Sequence, residues 1–298
     1  MRFGIMAMQL EALVPSGVPA EQVMANIMSF DHAGLAKSLF DKGFNPIELG
    51  GDLGMFLPHV YNPESVGKLA ALKVEGVTYT LHLPLWSVEP STPLTPVRKG
   101  SVEAVVQAIH ITRPIEPEVY VLHATGALAA EFYNMKISEL ARTMILRQFQ
   151  NGARESIRAI LAETGIPSRK LAVETIEFPL DLTLELAEEF DLSMCLDTGH
   201  VLAGFPGWFD FFEAVERVLP RLAEVHLHDC RKMPEGVRGY GEDHKPLGHG
   251  DLDLGRFLDR LAAANFTGPL VFELTLEEAL ESLNVVKTVR PQLLKRGY

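Results

Sequence analysis

Long apolar runs, clusters of positive charge and paired cysteines are all scarce in this chain. Although 47% of its 298 residues are hydrophobic, no stretch approaches the roughly 18 unbroken apolar residues of a membrane span. Lys and Arg number 27 against 39 Asp and Glu, a formal net charge of −12. With no basic run to offset it, that balance opposes DNA or another polyanion as partner. The two cysteines, Cys195 and Cys230, imply a reduced protein without a disulfide, expected in the cytoplasm. No cleavable leader is expected, because the chain starts at once on the strand-like Arg2-Phe3-Gly4-Ile5-Met6. No Gly-rich phosphate loop follows that strand, where Met6-Ala7-Met8-Gln9 stand instead, which counts against an open doubly wound sheet. No low-complexity linker divides the chain, so residues 1–298 read as a single domain.

What the chain does have is regular alternation. Short apolar runs fall at Arg2–Met8, Pro46–Leu49, Thr78–Leu83, Val119–Leu122, Leu171–Val173, Met194–Leu196, Leu222–Leu227 and Leu270–Phe272. Helical patterns separate them. One runs from Ala20 to Lys42 and stops at Gly43; another opens at Asn62-Pro63, an N-cap followed by proline at the first helical position. Others cover Arg98–Ile111, the long Ser138–Thr164, Leu182–Phe190 and Phe209–Val218. Leu254, Phe257, Leu258 and Leu261 share one helical face, and Thr275 with Glu278 forms a capping box for the last helix. Eight strand-then-helix units predict an α/β fold, a (β/α)8 TIM barrel. Two long loops, Pro84–Pro96 and Cys230–Asp253, are expected at the pocket rim.

The ends of the apolar runs carry the chemistry. In Met194–His200, MCLDTGH, a buried strand ends on a carboxylate and a turn then delivers an imidazole. Glu174, Asp197, His226 and Glu273 come one each from the fifth to eighth strands, and a barrel aims them into one mouth. Three carboxylates alone there would repel, each shifting its pKa upward; a divalent cation removes the conflict, and mixed O/N ligation suits Zn, Mn, Co, Fe or Mg. His82 and His123 end the third and fourth strands, and His200 and His244 lie near the sixth and seventh. His228 is read as out of phase with His226 and as a supporting group. His249 is expected to shape its loop, and His32, His59 and His110 to be surface or structural. Trp86 and Trp208, shortly after the third and sixth strands, are candidates to stack on a substrate ring.

The motifs Val173–Thr175 (VET), Cys195–His200 (CLDTGH), Val225–Asp229 (VHLHD), Pro246–Asp253 (PLGHGDLD) and Phe272–Leu274 (FEL) resemble those of the xylose isomerase-like TIM-barrel superfamily. That superfamily includes sugar isomerases and epimerases and the endonuclease IV class of zinc phosphodiesterases. The resemblance implies that Glu174, Asp197, His226 and Glu273 bind metal, with His200 a substrate contact or further ligand. In the endonuclease-like branch, histidines at the places of His82, His123, His200 and His244 join the carboxylates in holding two or three zinc ions. Glu242, two residues before His244, stands for the aspartate expected there.

Two enzymatic functions follow. The first expectation is a metal-dependent isomerase or epimerase of a sugar, sugar phosphate or similar keto compound. In it Glu174 and Glu273 exchange a proton with the substrate carbon through an enediolate. Its substrate-orienting arginine would be Arg231, a loose match to the family position. The alternative is zinc-dependent hydrolysis of a small phosphodiester, such as a nucleotide-containing cofactor; hydrolases that remodel cobamides belong to the same superfamily. A small molecule is the expected partner in both, and the chain could also associate with copies of itself.

Overall fold

A computed structural model describes residues 1–6 and 19–293. The end of the first expected strand, Ala7-Met8, and the Gln9 that follows it lie outside the described residues. Eight parallel strands close into a barrel in chain order: β1 (Arg2–Met6), β2 (Ile47–Gly50), β3 (Tyr79–His82), β4 (Tyr120–Leu122), β5 (Leu171–Glu174), β6 (Ser193–Asp197), β7 (Leu222–His226) and β8 (Pro269–Phe272). β8 returns to β1 with Ile5 beside Phe272, so no strand edge is left open. Among the described residues, no helix is long and apolar enough to cross a membrane.

The helices are α1 (Ala20–Met28), α2 (His32–Asp41), α3 (Leu53–Phe56), α4 (Pro63–Ala71), α5 (Thr95–Thr112), α6 (Ala127–Asn134), α7 (Glu139–Thr164), α8 (Leu180–Glu189), α9 (Thr198–Leu202), α10 (Phe211–Val218), α11 (Leu254–Ala263) and α12 (Leu276–Val289). Local chemistry sets several ends. Asn62 accepts from the Ser65 amide ahead of Pro63, and both halves of the Thr275–Glu278 capping box form. The single helical segment expected over Ala20–Lys42 is instead two helices. Ser29 Oγ donates to the Ala25 carbonyl at 2.8 Å and closes the first; the Asp31 carbonyl takes the Leu35 amide and starts the second. Within the loop Pro84–Pro96, Trp86 is exposed, but Ser91 is buried against α7, where Ser156 Oγ donates to the Pro90 carbonyl at 2.5 Å. That half packs inward and forms no rim.

Strand side chains alternate across the barrel wall. Phe3, Ile5, Ile47, Leu49, Leu81, Leu122, Val173, Leu196, Val225 and Phe272 face outward into the main core under the helices. Val119, Val121, Ala172 and Cys195 form a small separate cluster inside. With them, also without solvent exposure, are Glu48, Thr80 and Glu224. The interior therefore mixes apolar and polar groups below the mouth.

Candidate metal centre

β3, β5, β6 and β7 end on His82, Glu174, Asp197 and His226, while His123 and Glu273 directly follow β4 and β8. In a closed parallel barrel all these ends share one mouth. Donor atoms of Glu174, Asp197, His226 and Glu273 lie within 4.8 Å of one another. His226 Nδ1 stands 3.3 Å from Glu174 Oε1, 3.5 Å from Glu273 Oε1 and 4.0 Å from Asp197 Oδ2, yet among the described residues neither of its ring nitrogens has a hydrogen-bond partner. A buried, unpartnered nitrogen facing three carboxylates suits a divalent cation.

Three further groups adjoin this one, and one of them, Asp197, His228, His244 and Glu273, shares two of its carboxylates. His82 and His123 present Nε2 to Glu174 Oε2 at 3.2 and 2.8 Å, so Glu174 is common to their group and the first. His200, Asp243 and His244 make the third. His244 Nε2 reaches Glu273 Oε2 at 3.2 Å, and its Nδ1 reaches Asp243 Oδ2 at 2.9 Å. The side chain of Glu242 is exposed and belongs to none of the groups; Asp243 takes the place expected for it. In this irregular loop His244 has φ 55°, so no strand or helix period says which of two adjacent acids faces inward.

Supporting contacts hold the groups. The Asp197 carboxylate accepts the His200 amide at 2.7 Å and so caps α9, a short helix where a turn was expected. His200 Nδ1 lies 3.0 Å from the Thr175 carbonyl. His228 shares its face with His226, since residues two apart in a strand point the same way, which corrects the expected phase. Its Nδ1 accepts the His244 amide at 2.9 Å, leaving Nε2–H to donate to Asp197 Oδ2 at 2.9 Å. A Cβ on Gly199 would overlap the His228 ring, which explains the glycine in DTGH. Asp229 organises the loop: its carboxylate accepts the amides of Cys230, Gly248 and Leu252. His249 pairs with Glu281 at the surface.

Burial opposes ionisation of the carboxylates, but the imidazoles prevail. Those of His226 and His123 hold Glu174 well below the usual carboxylate range, and those of His200 and His228 lower Asp197. Glu273 is lowered by His226 and His244. The upward shift expected for packed carboxylates is thus reversed, because histidines interleave them. The histidines respond in kind. Against burial, Glu174 brings His82 to about 9, and Asp197 and Glu174 bring His200 to about 9. An arriving cation would replace these protons.

Beneath the mouth lies a group that the sequence reading missed. Thr80 Oγ1 is 2.9 Å from both Glu48 Oε2 and Glu224 Oε1, and His226 Nε2 is 3.4 Å from Glu48 Oε1. Burial, and then Glu48, push Glu224 well above the carboxylate range. The sequence signal was there: Glu224, His226 and His228 alternate along one strand face.

At the rim, exposed Trp86 meets Phe56 edge-on at 5.7 Å. Trp208 is half-buried, and its ring and that of Tyr133 flank the Arg238 guanidinium, with centroids 4.6 and 4.2 Å away. Arg231 is exposed; the loop arginine that meets rim aromatics is Arg238, not Arg231. Tyr240 bonds Glu177 and Asn134.

Residues 38–289 match the family model described as xylose isomerase-like TIM barrel. An uncharacterised protein of Methanocaldococcus jannaschii is 23% identical over 239 residues, 77% of this chain and 76% of that one. Among solved structures, a D-tagatose 3-epimerase-like protein superposes with TM-score 0.69 at 19% identity, covering 99% of this chain and all of the other. Endonuclease IV of Thermus thermophilus superposes with TM-score 0.64 at 18% identity, covering 98% and 100%. At such identities the likeness speaks for the fold.

Proposed function

The chain belongs to the xylose isomerase-like TIM-barrel family, and from that premise we propose that it is a multinuclear metal-dependent hydrolase of a small phosphodiester. One observation carries this reading: among the described residues four overlapping ligand-type groups adjoin in one mouth, with Glu174, Asp197, Glu273 and His244 each common to two of them. His82, His123 and Glu174 would hold one ion; Glu174, Asp197, His226 and Glu273 a second; His200, Asp243 and His244 a third. Divalent ions so placed neutralise phosphoryl charge and make hydroxide available near neutral pH. The chain's own part is to fix that array. Asp197 is held by His228 and by its cap on α9, and Asp229 holds the loop that brings Asp243 and His244. Trp86 and the Tyr133–Arg238–Trp208 stack are the candidates to contact the rest of the substrate, and the net charge of −12 favours a small substrate over DNA.

The isomerase reading retains one specific support: Glu174 and Glu273 both converge on His226 Nδ1, as a pair exchanging a substrate proton would. In it His82 and His123 would hydrogen-bond a substrate hydroxyl or a neighbour, and Asp243 and His244 have no assigned part. Metal content and two substrate panels separate the readings. The hydrolase is expected to take up two or three zinc ions per chain and to cleave a chromogenic phosphodiester. One manganese, cobalt or magnesium ion per chain together with ketose epimerisation would overturn it.

A further inference from the structure

His226 poses a tautomer problem. To act as a ligand toward Glu174, Asp197 and Glu273, its Nδ1 must carry no hydrogen, which puts the ring hydrogen on Nε2. That nitrogen is fully buried and has no hydrogen-bond partner among the described residues. The carboxylate oxygen facing it is Glu48 Oε1, 3.4 Å away, itself buried and unpartnered. Cys195, also fully buried, is a further polar neighbour. Glu48 is in turn held from its other oxygen, where Thr80 Oγ1 stands 2.9 Å away and bridges to Glu224. Strand pairing sets this arrangement, since Glu48 pairs with Thr80 across β2–β3.

We propose that Glu48, oriented by Thr80 and Glu224, is a positioning residue that keeps His226 in the Nε2–H tautomer, with Nδ1 open to a metal ion. This inference rests on the metal-site reading above but not on the reaction assigned to it. Carboxylates behind ligating histidines fix ring orientation and raise ligand basicity, and losing such a partner commonly weakens metal binding about 10–100-fold. Glu48 does so from inside the barrel, through a polar layer that never meets solvent.

The test uses the full-length protein loaded with zinc and labelled with 15N-histidine. In the wild type, a solvent-protected His226 ring N–H is expected, with its Nδ1 resonance displaced by zinc. Glu48→Gln should shift that N–H resonance and weaken zinc binding about 10-fold, and Glu48→Ala about 10–100-fold, with the far-ultraviolet circular dichroism unchanged. Should Glu48→Ala fail to fold, Glu48→Gln alone decides through its resonance and its zinc affinity. Unaltered resonance and affinity in a folded Glu48→Gln protein overturn the inference. A wild-type chain that takes up no zinc instead overturns the metal-site reading itself, so the two failures are distinguishable.

Discussion

Imidazoles on the two sides of the barrel wall are pushed in opposite directions. Inside the mouth, His82 and His200 are raised to about 9 against the effect of burial, because carboxylates surround them. Outside, His32 at the start of α2 is also buried and is lowered to about 4; burial dominates there, and the weaker pull of Asp31 does not offset it. Desolvation acts on both sides. What differs is the company, rings of Phe30 and Tyr61 around His32 and charge around the others. The wall separates a layer that stabilises by excluding water from one that gathers charge.

Phe272 and Glu273 put that division into two consecutive residues. Phe272 faces outward, its ring 6.0 Å from Phe3 and 6.2 Å from Phe44; Glu273 faces the mouth. Phe272→Ala should cost about 3–5 kcal/mol of stability, read by chemical denaturation, while zinc uptake by the folded fraction is unchanged. A large loss of zinc affinity there would break the comparison. Inside, Glu174→Gln is expected to do the reverse. Glu174 belongs to two ligand-type groups, as Glu273 does, so both Gln variants should lose zinc, and turnover of Glu174→Gln should fall by more than the roughly 100-fold that a supporting contact is worth. Near-normal metal content in Glu174→Gln would remove the basis for a multinuclear site.

The outer layer was the more legible side. Apolar runs bounded by turns and helical periods locate all eight strands, because burying one face is a repeated, periodic demand. The mouth was legible where a strand ends on a residue that faces it, as at Glu174, Asp197 and His226. It was not legible in the loop 230–253, where no period tells Glu242 from Asp243 or Arg231 from Arg238. Helix α6, which brings Tyr133 and Asn134 to the rim, also went unseen: it has eight residues, and only Ala129 among them is fully buried. Glu48 and Glu224 escaped for the opposite reason. A carboxylate within a buried strand reads as an error of register until its partner across the barrel is known.

A smaller effect sharpens the link between backbone and site. Gly199→Ala places a methyl group against the His228 ring, and that ring is what holds Asp197. Overpacking of this kind typically costs about 1–3 kcal/mol. If His228 yields, zinc affinity should fall with stability. Loss of stability with unaltered zinc affinity would show that Asp197 does not depend on His228.

The smallest expected effect tests the opening contrast at its outer member. His32 binds its proton near 6.5 when unfolded and near 4 when folded, so the unfolded chain binds more protons between those values. The stability due to the neutral buried ring is therefore full above pH 6.5 and declines as the pH falls toward 4. Between pH 7 and pH 5.5 the loss from this group should be about 1 kcal/mol. His32→Phe keeps an aromatic ring beside Phe30 and Tyr61 but cannot take a proton, so denaturation of the two proteins in parallel should show a flatter decline in the variant. Parallel declines would place the acid lability elsewhere and leave His32 an ordinary core ring.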